Sequence, residues 1–385
     1  MNRDYRREIE GFLEIQGEIE ILRKYGLDYT ANRGKVSQII DRLHPKKIRL
    51  RVSEIRQETK TTGVFRLVSA DTYLPPFQAG QYINLFVDLK GIRTSRPYSI
   101  ASPPNQMGYY EIAVRRVDGG FVSNYLLDEV KVGDAFESSG PAGNFFHNPL
   151  FHGNDLVFLV GGSGITPFMS MIREVTDRGL GRRIHLIYGS QKPDDVIYRK
   201  ELEERAGRHD NLKVTTVISD PPEGYAGLKG LITAEFMMEV LGDLASRTFY
   251  LCGPEEMYLF CLGEMQKLGV PSRKIRMEVF GPPRDITAQP GWPQEVQKDQ
   301  RYKVEVKGNR VIEARAGEPL IIALEKAGIA APASCRSGEC SLCRTRLISG
   351  RVFQAPQVKL RKSDRAFGFI HSCLAYPLGD LEIMI

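Results

Sequence analysis

The chain has 385 residues, and 53 Lys and Arg against 47 Asp and Glu leave a net charge of +6. A hydrophobic fraction of 42% and a charged fraction of 26% are ordinary globular values and exclude wholesale disorder, while the length predicts two to four domains at ~100–200 residues each. Because the net charge is mild and no long block of like charges occurs, nucleic acid is disfavoured as the main partner.

The first 45 residues have the periodicity of helices. Apolar side chains recur at helical spacing in two runs, at Ile15, Ile19 and Leu22 and at Val36, Ile39, Ile40 and Leu43. No secretory signal is expected, because the first 24 residues hold five basic and six acidic side chains and no apolar core. Residues 1–45 are predicted to form a helical extension, either a hairpin packed on the main body or a docking or dimerisation element.

Residues 46–150 have the pattern of an all-β unit. Runs rich in Ile, Val, Phe and Tyr alternate with turn residues at Ile48–Glu54, Gly63–Ser69, Tyr82–Val87, Arg96–Ala101 and Glu111–Val117. One helix is predicted among them, at Val122–Glu129. Such spacing predicts a small antiparallel β-barrel.

Residues 151–281 alternate strand runs with helical runs, which predicts a doubly wound parallel α/β unit. The predicted strands are Leu156–Val160, Arg183–Tyr188, Lys213–Ile218 and Thr248–Cys252, and the predicted helices are Thr166–Arg178, Asp195–Ala206, Thr233–Leu241 and Glu255–Leu268. The uncharged run Leu156–Ile172 approaches the length of a membrane span, but its central glycines and Pro167 indicate a strand, a loop and a helix, so no span is predicted.

The remaining residues divide into a linker and a third unit. Residues 282–300 are rich in Pro and Gln and are predicted to be a linker. Residues 301–385 are predicted to form a compact unit of short strands with one helix at Leu320–Ala327.

Four of the six cysteines lie in the last 51 residues, with the spacing Cys335-x4-Cys340-x2-Cys343-x29-Cys373. This is the plant-type [2Fe–2S] spacing, and thiolates suit soft iron–sulfur chemistry. Ser337 and Gly338 let backbone amides approach the sulfurs. A structural zinc site is the alternative. With neither a secretory signal nor a membrane span predicted, the protein is expected to be cytoplasmic, and clustered cysteines in a cytosolic chain hold a metal more often than they form disulfides.

Two segments of the predicted barrel have the chemistry of a flavin site. Arg96-Pro97-Tyr98-Ser99 supplies a cation for phosphate, an aromatic face for the flavin ring and a hydrogen bond near the N5 atom of that ring. Gly119-Gly120-Phe121-Val122-Ser123-Asn124 opens a helix, whose free amides together with Ser123 form a phosphate site. Simple N-capping by Ser123 is the alternative.

A glycine motif, Gly161-Gly162-Ser163-Gly164-Ile165-Thr166-Pro167, lies between a predicted strand and a predicted helix. Glycines there allow a tight turn and bring a pyrophosphate close to the helix N-terminus, although a plain strand-to-helix turn is the alternative. Two further segments lie at the ends of predicted strands, namely Gly189 and Ser190 after the second strand of this unit and Cys252, Gly253 and Pro254 after the fourth.

With these motifs in this order, residues 47–385 resemble the ferredoxin–NADP reductase superfamily followed by a plant-type ferredoxin. The resemblance implies a multidomain protein with a flavin barrel, a doubly wound nicotinamide domain and a β-grasp ferredoxin domain. It implies that Tyr98 stacks on the isoalloxazine and that phosphate is held by Arg96, Gly120, Val122 and Ser123. It further implies that Ala113, Val114 and Arg115 line the flavin edge.

The same resemblance assigns the two segments that end the second and fourth strands of the nicotinamide unit to the nucleotide site, and it indicates the catalytic residues. In the family the residue at Cys252 lies beside the nicotinamide C4, and Glu278-Val279-Phe280 matches the segment that closes the reductase. The ring of Phe280 either contacts the flavin or lies in the core. The predicted catalytic residues are therefore Ser99, Cys252, Glu278 and Phe280.

Electron counting orders the predicted cofactors. A nicotinamide gives two electrons as a hydride, whereas a [2Fe–2S] cluster accepts one electron at a time. A flavin can take part in both kinds of transfer. The predicted path therefore runs from NADH through FAD to the cluster and on to a protein acceptor. This order of units resembles the reductase components of multicomponent oxygenases. The alternatives are an electron-transfer subunit of a larger dehydrogenase complex and a zinc-stapled binding module without redox activity.

Three details remain as expectations. FAD is favoured over FMN because the G-G-x-x-S segment is typical of FAD members. NADH is favoured over NADPH because Ser219-Asp220 stands where NADP-using relatives place Ser-Arg, and an acid repels a 2′-phosphate, although Lys192 argues for NADPH. A basic stretch offers an acidic acceptor a docking surface, or is a solvated linker face; its members are Arg42, Lys46, Lys47, Arg49 and Arg51.

Overall fold

The computed structural model describes residues 10–26, 33–71, 73–244, 246–356 and 358–385. The chain divides into two compact units, Met1–Lys46 and Lys47–Ile385. The first unit holds α1 (Phe12–Lys24) and α2 (Arg33–Leu43), and no residue of α1 is buried. The side chains of Val36 and Arg42, which the sequence patterns include, lie outside the described part. None of the described helices is both long and apolar enough to cross a bilayer.

The second unit begins with six antiparallel strands and one helix, namely β1 (Ile48–Thr59), β2 (Thr62–Ser69), β3 (Tyr82–Leu89), β4 (Ile92–Ser99), β5 (Tyr110–Arg115), α3 (Phe121–Asp128) and β6 (Ala135–Ser138). The strands form one sheet in the order β4-β3-β6-β1-β2-β5, and its two outer strands contact each other, which closes the predicted barrel. Alternate side chains of β1, such as Leu50 and Val52, point into the barrel core.

Turn geometry shifts one strand relative to the prediction. Lys90 and Gly91 have positive φ angles of 51° and 77° and form a two-residue hairpin that pairs Leu89 with Ile92. The strand predicted at Arg96–Ala101 therefore begins at Ile92 and ends at Ser99. The hydrophobic pattern does not predict β6, because only two of its four residues are apolar.

Six parallel strands and four helices follow, namely β7 (Asp155–Gly161), α4 (Ile165–Asp177), β8 (Arg183–Ser190), α5 (Arg199–Arg208), β9 (Leu212–Ile218), β10 (Leu228–Lys229), α6 (Ala234–Leu241), β11 (Thr248–Cys252), α7 (Glu255–Lys267) and β12 (Ile275–Glu278). The strand order is β10-β9-β8-β7-β11-β12, and separate apolar clusters cover the two faces of the sheet, as in the predicted doubly wound fold. The strand order reverses between β7 and β11, which is where such sheets bind nucleotides.

Helix α5 begins at Arg199 and not at the predicted Asp195. The preceding residue, Tyr198, has a left-handed φ of 59°. Its backbone N–H donates to Glu58 (2.9 Å) and its hydroxyl to Glu111 (3.1 Å), both in the barrel. These contacts override the local preference for a longer helix.

The C-terminal part contains nine further elements, namely β13 (Arg301–Val306), β14 (Val311–Arg315), α8 (Leu320–Lys326), β15 (Arg344–Ser349), β16 (Val352–Gln354), α9 (Lys362–Ala366), β17 (Phe369–His371), β18 (Ala375–Pro377) and β19 (Leu381–Met384). Its main sheet has the order β14-β13-β19-β15-β17 with β13 and β19 parallel, as expected for a β-grasp. Within the predicted linker, Trp292 is buried edge-on against Phe353 and Tyr376, so this stretch packs on β16 and β18.

Candidate functional site

The predicted flavin motif ends strand β4. Arg96, Pro97 and Tyr98 are half-buried, and Ser99 is buried. The Arg96 guanidinium donates to Thr94 Oγ1 (2.8 Å) and to the carbonyl of Ser95 (2.7 Å). A cation, an aromatic ring and a hydroxyl therefore lie within half a strand of one another, which suits a flavin site.

The predicted phosphate segment precedes helix α3. Gly120 is the N-cap residue, and no described side chain caps the helix, so its first amides can face an anion. Ser123 Oγ accepts a hydrogen bond from the Val117 amide (3.2 Å), so the alternative of N-capping by Ser123 is wrong.

Three of the residues assigned to the flavin by resemblance have inward-facing side chains. Val122 of α3 and Val114 of β5 belong to the barrel core, and Ala113 belongs to the cluster between the barrel and the parallel sheet. A cofactor can therefore meet these three mainly through their backbone. Arg115, which the resemblance also assigns to the flavin edge, is half-buried and forms an ion pair with Asp195 at 3.3 Å.

The glycine motif after β7 is shaped by neighbouring backbone. A Cβ on Gly164 would lie 2.3 Å from the Cys252 carbonyl oxygen, and one on Gly161 would lie 2.2 Å from Met257 Sδ. Gly162 has a φ of 52°, which favours glycine. Close packing of the loop on the end of β11 thus requires glycine at these positions. Thr166 Oγ1 donates to the Ser163 carbonyl (2.6 Å) in the first turn of α4, which also contains Pro167.

Three predicted catalytic residues meet where the barrel contacts the parallel sheet. Cys252 lies opposite Glu278 in the parallel pair of β11 and β12, and Ser99 Oγ donates to Glu278 Oε2 at 3.4 Å. Burial raises the pKa of Glu278 to about 8, the carboxylate of Glu339 adds to that rise, and the hydrogen bond from Ser99 opposes it. Burial, assisted by Glu278, also raises the pKa of Cys252. At pH 7 the carboxyl and the thiol are therefore predominantly protonated.

The other predicted residues of this edge occupy strand and helix ends. Gly189 pairs with Gly161, and Ser190 Oγ donates to the Lys192 carbonyl at 2.9 Å. Pro254 is the N-cap residue of α7, directly after Gly253. Phe280 is 39% exposed, so the alternative that its ring lies in the core is wrong.

The four predicted cluster ligands form two pairs. Cys343 Sγ and Cys373 Sγ lie 3.2 Å apart. Cys335 Sγ accepts hydrogen bonds from the amides of Ser337 (3.5 Å) and Cys340 (3.4 Å). No group of three His, Cys, Asp or Glu within the described ranges is tight enough to hold a single metal ion. The side chains of Cys335 and Cys340 also hydrogen-bond each other. Two separate sulfur pairs fit the donor set of a two-iron cluster with four thiolates.

A buried polar network joins the cluster loop to the barrel, and the sequence patterns do not predict it. Arg336 forms an ion pair with Glu325 of α8 and donates to Ser95 Oγ at 3.2 Å. Thr94 Oγ1 donates to Glu325 at 2.9 Å. The sequence contains one sign of this network, the charged residue Glu325. It lies one helical turn after Ile321, on the side of α8 that is buried.

Two further contacts support the same junction. Asn84 Nδ2 donates to the carbonyl of Ala333 (3.1 Å), and the hydroxyls of Tyr82 and Ser334 share a hydrogen bond of 3.0 Å. The residues just before Cys335 therefore lie against strand β3, and Arg336 just after it lies against β4.

Three family models match the chain in order. They are the oxidoreductase FAD-binding domain at residues 49–147, the oxidoreductase NAD-binding domain at residues 158–262 and the 2Fe-2S iron-sulfur cluster binding domain at residues 304–378. The predicted cofactors, FAD, a nicotinamide and a [2Fe–2S] cluster, are thereby confirmed.

Relatives match over most of the chain. NADH oxidoreductase HCR of Escherichia coli (strain K12) is 31% identical over 336 residues, which cover 87% of this chain and 97% of that protein. The glycine betaine monooxygenase reductase subunit of Pseudomonas aeruginosa (strain UCBPP-PA14) is 29% identical over 345 residues, 87% of this chain and 94% of that protein. The solved structure of phthalate dioxygenase reductase aligns with a TM-score of 0.67 over 88% of this chain and 98% of that chain, and at 24% identity it shows the fold alone.

Proposed function

The chain belongs to the iron–sulfur flavoprotein reductases that carry FAD-binding, NAD-binding and [2Fe–2S] domains on one polypeptide, and we propose that it supplies an oxygenase with single electrons drawn from NADH. When bound, the nicotinamide gives a hydride to FAD, and FAD passes single electrons to the [2Fe–2S] cluster. An oxygenase as the acceptor is supported by the relative that is named as the reductase subunit of glycine betaine monooxygenase.

One observation carries this proposal: strand β4 contacts both ends of the electron path. Ser95 in its middle bonds Arg336 of the cluster loop, and Ser99 at its end bonds Glu278 on the nucleotide side. Four strand residues span ~13 Å at ~3.3 Å each. The residues that we propose to hold the flavin, Arg96 and Tyr98, lie on β4 between these two contacts.

We assign the chain's own residues to three tasks. Tyr98 offers its ring face to the flavin, and Arg96 and the start of α3 at Gly120 and Ser123 bind phosphate. Ser99, Cys252 and Glu278 keep the end of the flavin site where the hydride is transferred uncharged at pH 7, because burial holds the proton on Glu278 and on Cys252. Phe280 covers that end of the site from the solvent side. The glycine loop at Gly161, Gly162, Gly164 and Thr166 receives the nucleotide pyrophosphate, and Cys335, Cys340, Cys343 and Cys373 hold the cluster.

We propose NADH as the preferred donor. Lys192 Nζ lies 3.2 Å from Asp220 Oδ2, so the cation that could bind a 2′-phosphate is already neutralised by a carboxylate. Asp220→Ser should raise kcat/KM for NADPH about ten-fold, since one unit of opposing charge is removed. Glu223→Ser, which removes an exposed acid three residues further on, serves as the control and should leave the ratio of NADH to NADPH unchanged.

Anaerobic titration of the purified holoprotein with NADH tests the function. The flavin and cluster absorption bands should bleach, and the electrons should pass to an added oxygenase. A colourless zinc protein would contradict the proposal, and so would a protein that is reduced only as a subunit of a larger dehydrogenase. We place the reaction in the cytoplasm, because a reducing compartment keeps the four clustered cysteines as thiols.

A further inference from the structure

The positive charge of the chain is concentrated in its C-terminal part. Residues 301–385 hold 14 Lys and Arg and eight Asp and Glu, a net of +6 that equals the charge of the whole chain. Residues 1–300 are therefore balanced. Between Glu339 and Asp364 every charged side chain is basic.

Five cations of the C-terminal part form one surface, here called the basic face, and all five are exposed: Arg344, Arg346, Arg361, Lys362 and Arg365. Arg344 donates to Asp364 Oδ1 at 2.8 Å, which holds α9 beside the start of β15, and Asp364 itself is buried. Arg346 lies on the same side of β15 as Arg344, because alternate residues of a strand point the same way. The other three cations lie on α9 or at its N-cap.

Two large apolar side chains adjoin the basic face. Leu342 is 52% exposed and Phe367 is 69% exposed. Leu342 precedes Arg344 by two residues, and Phe367 directly follows α9. Exposed apolar groups bordered by charge are the composition of a docking site for another protein.

The basic face lies beside one sulfur pair, while the barrel lies beside the other. Arg344 directly follows Cys343, whose Sγ lies 3.2 Å from that of Cys373. Ser334 and Arg336 flank Cys335, and both bond to the barrel. The cluster loop thus has an inner side on the barrel, while the exposed residues on β15 and α9 that follow it are basic and partly apolar.

We propose that the electron acceptor is an acidic protein that docks on the basic face, with its carboxylates on Arg346, Arg361, Lys362 and Arg365 and an apolar patch on Leu342 and Phe367. Arg344 is already paired with Asp364 and serves to hold α9 in place. This inference rests on the proposed function and names the partner class for that same electron path. Opposite charges raise the rate of encounter by ~10–1,000-fold, and the gain disappears when salt shortens the Debye length from ~20–30 Å to a few Å.

Redox proteins of opposite charge provide the test. The holoprotein with NADH should reduce cytochrome b5, an acidic haem protein, faster than cytochrome c, a basic one, at low salt. The docking variant Arg361→Glu/Lys362→Glu/Arg365→Glu should reduce cytochrome b5 at least about ten-fold more slowly. The control variant Lys303→Glu/Lys307→Glu/Arg315→Glu changes the net charge equally at the opposite edge of the same sheet, and its rate should stay within about three-fold of the parent.

Binding and a neutral acceptor separate the outcomes. Calorimetric affinity for oxidised cytochrome b5 should fall with the docking variant and not with the control, and Phe367→Ser should weaken binding even at high salt. Reduction of a neutral benzoquinone should be the same in all variants. Equal slowing of the two triple variants, or a preference for cytochrome c, would overturn the docking proposal alone. Failure to reduce benzoquinone would overturn the proposed function instead.

Discussion

Glu325→Ala tests whether the buried ion pair of Glu325 with Arg336, which bonds to Thr94 and Ser95 of the barrel, anchors the C-terminal part there. In this pair the side chain of Arg336 is 6% exposed and that of Glu325 is 9% exposed. After the substitution the guanidinium keeps only hydroxyl acceptors, Thr94 Oγ1 at 3.4 Å and Ser95 Oγ at 3.2 Å, and its Nε already has no partner among the described residues. A buried charge left without its counter-ion costs about 3–5 kcal/mol of stability.

Two matched variants isolate the effect of burial. Glu318→Ala removes a carboxylate from an ion pair with Lys326, whose side chain is largely solvated, and should cost about 0–1 kcal/mol. The double variant Glu325→Ala/Arg336→Met removes both buried charges and should recover most of the loss, because a buried ion pair adds little over apolar packing of similar volume.

Urea unfolding of the holoprotein, followed by tryptophan fluorescence, measures these differences. Trp292 is the only tryptophan and is buried against Phe353 of β16 and Tyr376 of β18, so its emission reports on the packing of the C-terminal part. At a urea m-value of about 3 kcal/mol/M, a loss of about 3–5 kcal/mol lowers the unfolding midpoint by roughly 1–2 M. Equal midpoints for Glu325→Ala and Glu318→Ala would refute the anchoring role of the pair.

Three further predictions concern the cofactor sites. A single Cys→Ser change at any of the cluster ligands Cys335, Cys340, Cys343 and Cys373 should abolish the reduction of protein acceptors. The reduction of flavin by NADH, measured by stopped flow, should survive. Loss of both rates in a folded variant would contradict a linear electron path from NADH through flavin to the cluster. Tyr98→Ala should weaken FAD binding by about 1 kcal/mol, roughly five-fold, and unchanged affinity in a fluorescence titration would remove Tyr98 from the site. In the folded protein Glu278 keeps its proton up to about pH 8, whereas in the unfolded chain it loses it near its ordinary pKa of 4.5. The free energy of unfolding should therefore fall as the pH rises from 4.5 to 8 and level off above that, and Glu278→Gln should flatten this slope in urea midpoints taken between pH 5 and 8.

Several parts of the fold and site could be predicted because their physical cause is local. The cysteine spacing predicts the cluster loop, since three ligands on one short loop need only that loop to approach one another. The glycine motif and the alternation of strands with helices likewise predict the parallel sheet. Predictions of local structure were wrong where a turn or a distant contact determines the end of an element. The turn at Lys90–Gly91 moves the start of β4, and a contact with the barrel holds Tyr198 in a left-handed conformation, which delays the start of α5.

The sequence by itself determined the residue types that serve each cofactor and their order along the chain, because a thiolate set, a glycine turn and an aromatic next to a cation keep their chemistry in any fold that exposes them. Only the tertiary structure decided which of these groups meet. Ser99 and Glu278 bond across 179 residues of chain, and Thr94 bonds Glu325 across 231. Such pairs follow from how the barrel packs on its two neighbours, and burial at those junctions changes the chemistry itself. The same packing raises the pKa of Glu278 and confines Arg336 to a buried ion pair, whereas either side chain in water would be an ordinary ionised group.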